Sequence, residues 1–270
     1  DVYKRQGKAP ISGQNADKSD TGLTEIDNSF KYGGNVDDDN SGSLTYVQIC
    51  YAGARSTADI EHNGLTLNGV GSGTKIENIY VLESADDAIE FFGGTVNVTN
   101  LLAVNPDDDM FDFTQGYSGT LKNCYGVWEN GYTSTEADPR GIEADGNLDG
   151  LYPTHLRQSD FRVENMTIVN NAADKADNVD RMQDVIKIRR GAKAAIVNAL
   201  VKGTGGSIDL IDMSDSKGAG NADSSVSITN SLNLTGKKLN GTLNTFAEPA
   251  GNIGTDVSLF TWTGYNFSSL

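Results

Sequence analysis

The sequence predicts an all-β chain wound as a single-stranded, right-handed parallel β-helix with loops inserted along its side. Three observations predict it: short runs that alternate apolar and polar residues, an apolar-x-Asn motif returning at near-constant spacing, and almost no 3.6-residue periodicity. The motif occurs at Ile76-Glu-Asn78, Val98-Thr-Asn100, Leu121-Lys-Asn123, Val163-Glu-Asn165, Ile196-Val-Asn198 and Ile228-Thr-Asn230, with Leu44-Thr-Tyr46 as an earlier variant. Its first steps are roughly 22 residues, one coil of a solenoid, and its later steps are longer, as when loops enter a constant unit. Asn tolerates left-handed backbone at a turn and its amide can bond to the amide above, so the motif predicts an inward asparagine ladder.

A second motif repeats in phase at Gly64–Leu67, Ala88–Phe91, Met110–Phe113, Gly141–Ala144, Val185–Ile188 and Ser207–Leu210. Its period of two places Leu65, Ile89, Phe111, Ile142, Ile186 and Ile208 on one face, and Thr66, Glu90, Asp112, Glu143, Lys187 and Asp209 on the other. Strands of four to six residues bury little alone, so each is satisfied by stacking on the next coil. Recognisable coils span residues 44–235 of a single domain over 7–270. Glu129–Asp160 and Asn171–Gln183 exceed the short period and read as side loops, which on a rigid solenoid often carry binding contacts. Residues 236–270, with Trp262, leave the repeat and read as a cap over the last coil. Residues 1–6 match nothing downstream and read as a non-native fragment end without a structural part.

The 270 residues carry 21 Lys+Arg against 37 Asp+Glu, a net charge of -16. Such a surface repels phosphate backbones, so nucleic acid is not an expected partner; cations and neutral glycans suit it better. No stretch reaches the roughly 18 apolar residues of a membrane-spanning helix. Cys50 and Cys124 form neither a disulfide framework nor a CxxC pair. Oligomeric state is left open.

Tyr32–Gly42, Leu44–Gly53, Asn63–Gly71, Ala85–Gly94 and Arg140–Asp145, above all Asp86-Asp87-Ala88-Ile89-Glu90-Phe91-Phe92-Gly93-Gly94, resemble a family of bacterial surface lipoproteins. The similarity covers about residues 7–235. It implies a β-helix displayed outside the cell or on the outer membrane surface, with no defined biochemical role. The label of multidrug transporter often given to that family does not suit this chain, which has neither an apolar span nor the ~10-residue amphipathic strands of a closed barrel. The family's Trp-Gly-Gly strand ahead of Gly7–Ile11 is missing here, so a further coil, and any signal or anchor, is expected upstream of this sequence.

In-register coils lie ~4.8 Å apart, which crowds Asp87, Glu90, Asp109, Asp112, Glu143 and Asp145 onto one strip. Like charges at that distance need a proton, a basic side chain or a metal between them. Three outcomes stay open. Arg140 and Lys187 neutralise a solvated face, for example through a Glu143–Lys187 bridge; calcium joins carboxylates of two coils, Asp87 and Asp109 first; or a carboxylate pair works as acid and base on a glycosidic bond. In the third case the chain is a polysaccharide lyase or glycoside hydrolase using Asp87, Glu90, Asp109, Asp112, Glu143, Arg140 and Lys187. Asp37-x-Asp39-x-Ser41-Gly42 has the oxygen spacing of half a calcium loop but lacks a closing Glu, with Gln48 where one belongs. Trp128, Tyr132 and Tyr152 on the side loops are candidates for stacking on sugar rings, against the commoner fate of packing down onto the coil. His62 and His155 lack zinc-site spacing, and no GxSxG is present. The leading expectation is an exported β-helix that binds extracellular polysaccharide or a surface protein, with calcium as the fitting ion; the competing ones are the carbohydrate-cleaving enzyme and a structural spacer.

Overall fold

The computed structural model describes residues 3–13, 20–25, 27–53, 62–173 and 181–270. They wind into a parallel β-helix with two long sheets. One sheet stacks seven short strands, Tyr3–Gln6, Leu65–Asn68, Ile89–Phe92, Phe111–Thr114, Ile142–Asp145, Asp184–Arg189 and Asp209–Asp212, in that order. The other stacks eight longer strands, Ser43–Cys50, Lys75–Leu82, Val98–Val104, Thr120–Trp128, Asp160–Asn170, Lys193–Lys202, Ser225–Asn230 and Thr245–Ala247. Every pairing in both sheets is parallel.

Register converts the period-two pattern into columns. Leu65, Ile89, Phe111, Ile142, Ile186 and Ile211 stack inside the short-strand sheet, and none has accessible surface. Truncating one such side chain to Ala costs about 2–5 kcal/mol. Phe91 stacks on Phe113 at 5.1 Å, and Phe113 on Phe161 at 4.1 Å. The last register differs from the expected one: Ile186 pairs with Ile211 and Lys187 with Asp212, not with Ile208 and Asp209. The chain between Lys187 and Asp212 is longer than the short repeat, which moves the alignment by three residues.

The asparagine ladder forms at a bend within the long strands. Asn78, Asn100, Asn123, Asn165 and Asn198 all have φ between 54° and 59°. Each amide nitrogen donates to the carbonyl oxygen of the preceding Asn at 2.8–2.9 Å, from Asn100 to Asn198. The residues are half-buried at the corner. Asn230 does not extend the ladder, because a register shift between Ile196 and Ala199 sets it opposite Val201.

Three further expectations are corrected. Tyr3–Gln6 is not outside the fold but pairs with Leu65–Asn68. The segment Glu129–Asp160 is not one loop, since it contains the coil strand Ile142–Asp145 and so divides into two. Part of the other expected loop, residues 174–180, lies outside the described residues. Residues 236–270 do not simply cover the last coil. Thr245–Ala247 adds a strand beside Ser225–Ser227, and the remainder turns back along the outer face of the long-strand sheet. Ile253 N–H donates to Asn198 Oδ1 at 2.9 Å, the Thr255 hydroxyl to the Cys124 carbonyl at 2.8 Å, and Trp262 meets Tyr46 edge-on at 5.4 Å. This segment covers an outward apolar stripe of Tyr80, Leu102, Val104, Tyr125, Val127 and Val169 with Phe260, Trp262, Tyr265, Phe267 and Leu270. Gly254 at φ 65° is the close approach: a side chain there would strike the Thr167 hydroxyl.

Candidate functional site

Two columns of side chains rise on the outward face of the short-strand sheet. One holds Thr66, Glu90, Asp112, Glu143, Lys187 and Asp212 in register. The other, three residues earlier on each coil, holds Asn63, Asp87, Asp109, Arg140, Asp184 and Asp209, joined by backbone bonds such as Ala88 N–H to Asp109 C=O at 3.0 Å. The sequence signal for the pair of columns is a three-residue offset between chemistry-bearing residues on every coil. It would have revealed Asn63, Asp184 and Asp212, which the reading by column alone missed.

Most of the strip is buried rather than solvated, with Asp112 and Glu143 half-buried. Asp87, Asp109, Arg140, Asp184, Lys187 and Asp212 are 3–8% exposed, and Glu90 is 9% exposed. Its two ends differ in charge. On the later coils Arg140 pairs with Asp138 at 2.6 Å, with Glu143, and with Asp184 at 3.4 Å. Arg189 binds Glu143, and Asp145 at 2.6 Å; Arg190 binds Asp145 at 2.6 Å and Asp215 at 3.3 Å. Lys187 reaches Asp212, and Asp184 at 3.8 Å. The expected Glu143–Lys187 bridge is therefore replaced: Glu143 takes two arginines and Lys187 turns to the next coil.

On the earlier coils Asp87, Glu90, Asp109 and Asp112 form a box with no ion pair to Lys or Arg among the described residues. Oxygens of Asp87, Glu90 and Asp112 lie within 4.8 Å of one another, as do those of Asp86, Asp87 and Asp108. Asn63 donates its amide to Glu90 Oε2 at 2.5 Å, and Asp109 N–H donates to Asp87 Oδ1 at 2.9 Å. Oδ1 of Asp109 and Oδ1 of Asp112 are buried without a hydrogen-bond partner, although the Glu90 carboxyl lies close enough to the Asp112 carboxyl to share a hydrogen bond with it. Burial pushes all four carboxyls well above the usual range, and like charges add to it: Asp86 on Asp87, Asp112 on Glu90, Asp108 on Asp109 and Glu143 on Asp112. Asp184 and Asp145, also lifted mainly by burial, rise only to about 6, because Lys187 and Arg140 hold the first down and Arg189 the second.

The box has an internal counterpart. Asp184, Lys187, Asp209 and Asp212 occupy the same four positions on two adjacent coils, and oxygens of Asp184, Asp209 and Asp212 again lie within 4.8 Å. Lys187 stands there in the column position of Glu90. One box carries its own ammonium; the other carries a fourth acid. An all-carboxylate donor set with unreached lone pairs is the chemistry of a hard divalent cation, calcium above all.

The other candidates disperse. Asp37 pairs with Arg157 at 3.3 Å and its carbonyl holds Ser72 N–H, while Asp39 Oδ2 accepts from Ser41. Among the described residues, neither Asp37 nor Asp39 belongs to a group of three acids close enough to hold a metal. Trp128 is 1% exposed and donates its indole N–H to the Pro106 carbonyl at 3.0 Å, which leaves no face for a sugar. Tyr132 is half-buried, and its hydroxyl donates to the same carbonyl at 2.8 Å. Tyr152 lines a separate cleft of about 490 Å³ with Tyr32, Gln115 and Asp20, whose carboxylate meets His155 Nε2 at 2.8 Å. Cys50 and Cys124 are free thiols.

No helix of the described residues is long and apolar enough to cross a membrane. No curated protein and no solved structure matches the chain. The profile of the pectate-lyase like beta helix domain matches residues 6–262, nearly the whole sequence, in agreement with the coils, columns and ladder, and the chain belongs to that family.

Proposed function

We propose that this protein is an exported β-helix displayed at the cell surface, that calcium sets its acidic box, and that it binds extracellular carbohydrate without cleaving it. The observation that carries the reading is the contrast of the two boxes: where Lys187 sets one positive charge among three acids, Glu90 leaves the other with four acids, three of them buried, and with Oδ1 of Asp109 and of Asp112 buried without a hydrogen-bond partner. Asp87, Glu90, Asp109 and Asp112 would hold the ion. Membership of the family supports carbohydrate as the ligand class, and the lipoprotein resemblance supports surface display.

A lyase or hydrolase would need these acids in reach of a polymer. Asp109 is 3% and Asp87 5% exposed, which favours a structural ion over general acid–base work. The test is thermal melting at pH 7.5 with calcium and with chelator, alongside product assays on neutral and uronate glycans. A ligand that binds only the folded chain stabilises it by about 2.7 kcal/mol at a hundred times its Kd, a rise of roughly 5–10 °C at this size. An unchanged midpoint removes the calcium site, and unsaturated products or new reducing ends reinstate the enzyme.

A further inference from the structure

An open groove of about 310 Å³ lies beside the acidic box, between Tyr51, Glu83, Asp107 and Tyr132. It continues into the box through backbone, since Asp107 N–H donates to the Ser84 carbonyl at 3.1 Å and the Asp86 carbonyl at 3.2 Å. Its lining includes Gly53 and Ala85, which pack against each other. Tyr132 also lines the groove, half-buried against the core and held by its hydroxyl and by Trp128 at 5.9 Å.

Tyr51 is the informative residue. It is 69% exposed and meets no other aromatic ring among the described residues. Its backbone sits at φ 55°, at a corner where the next coils place Glu83 at φ 51° and Asn105 at φ 52°. That left-handed corner suits Asn and strains a bulky residue. Among the described residues no ring contact engages Tyr51, which leaves its ring exposed at the groove.

We infer that this groove binds the rings of a neutral polysaccharide and rejects polyuronates, an assignment that rests on the carbohydrate-binding reading above. Tyr51 supplies the stacking face and the exposed carboxylate of Glu83 accepts hydrogen bonds from sugar hydroxyls, while Asp107, whose oxygens already accept from Thr135 and Tyr132, adds negative charge. The same carboxylates, on a chain of net charge -16, repel the carboxylate of every uronate residue.

Calorimetric titration of the full chain in calcium, with neutral and uronate oligosaccharides of matched length, tests it. The neutral series binds, the uronate series binds at least tenfold more weakly, and Tyr51→Asn weakens neutral binding about tenfold. Asn suits the left-handed corner, so this variant keeps or raises the melting temperature. Glu83→Gln narrows the gap between the two series. Wild-type affinity in Tyr51→Asn overturns the groove and leaves carbohydrate binding standing. A preference for uronates overturns the ligand class, and binding of neither series by the wild-type chain overturns both readings.

Discussion

The two boxes on one strip are a natural experiment in neutralising buried charge. Asp184, Lys187, Asp209 and Asp212 answer the problem with a side chain; Asp87, Glu90, Asp109 and Asp112, on the same four positions, do not. The difference is partly written in the pKa directions, since burial raises Asp184 of the first box as well, though only to about 6. Asp212 stays below the usual carboxylate range: burial raises it, but hydrogen bonds from Lys187 and Ser214 outweigh that. The acids of the other box are all driven upward. One backbone geometry thus hosts either a self-contained ion pair or a site that needs something from outside.

The comparison breaks most sharply at Lys187. Lys187→Met leaves Asp184 and Asp212 buried without their ammonium and is expected to cost about 3–5 kcal/mol in denaturant unfolding at pH 7.5. Glu90→Lys does the reverse: it supplies the earlier box with an internal cation, raises the calcium-free melting temperature by several degrees and abolishes its response to calcium. A calcium response that survives in Glu90→Lys would separate the ion from this box.

The pH dependence sharpens the same contrast. Carboxyls raised by folding contribute stability that is full below about pH 4, the unfolded value, and is lost as pH climbs through the folded values. Chelator-treated protein is therefore expected to melt higher at pH 5 than at pH 8. Calcium, which requires the ionised acids, should reduce or reverse that slope. A slope equal with and without calcium would place proton and ion at different groups. The smallest effect is expected away from both boxes: Asn123→Ala removes two ladder hydrogen bonds and a residue suited to φ 56°, for about 1–2 kcal/mol.

The coil architecture was legible because a solenoid repeats its physics. Alternation assigned the inward column from Leu65 to Ile186, and Asn spacing located the bend. The same register brought Glu90, Asp112, Glu143 and Lys187 together as expected. What escaped was whatever depends on contacts between distant segments. The three-residue displacement at Asp212 follows from a longer connection, which a repeat scan reads as a fixed step. Trp128 looked like a loop aromatic, yet the carbonyl of Pro106 one coil away satisfies its N–H and lets it go under. Burial of the acidic strip has no local signature either, since acidic residues on an outward face ordinarily meet water.

Solenoids usually lose structure from their ends, each coil being held only by its neighbours. The returning C-terminal segment alters this, because it bonds to Asn198 near one end and lies against Tyr46 and Gln48 near the other. It works like a seam stitched along the outside of a spring. Early and late turns are obliged to come apart together, and removal of the segment that follows the exposed Pro249 would return the spring to fraying one turn at a time.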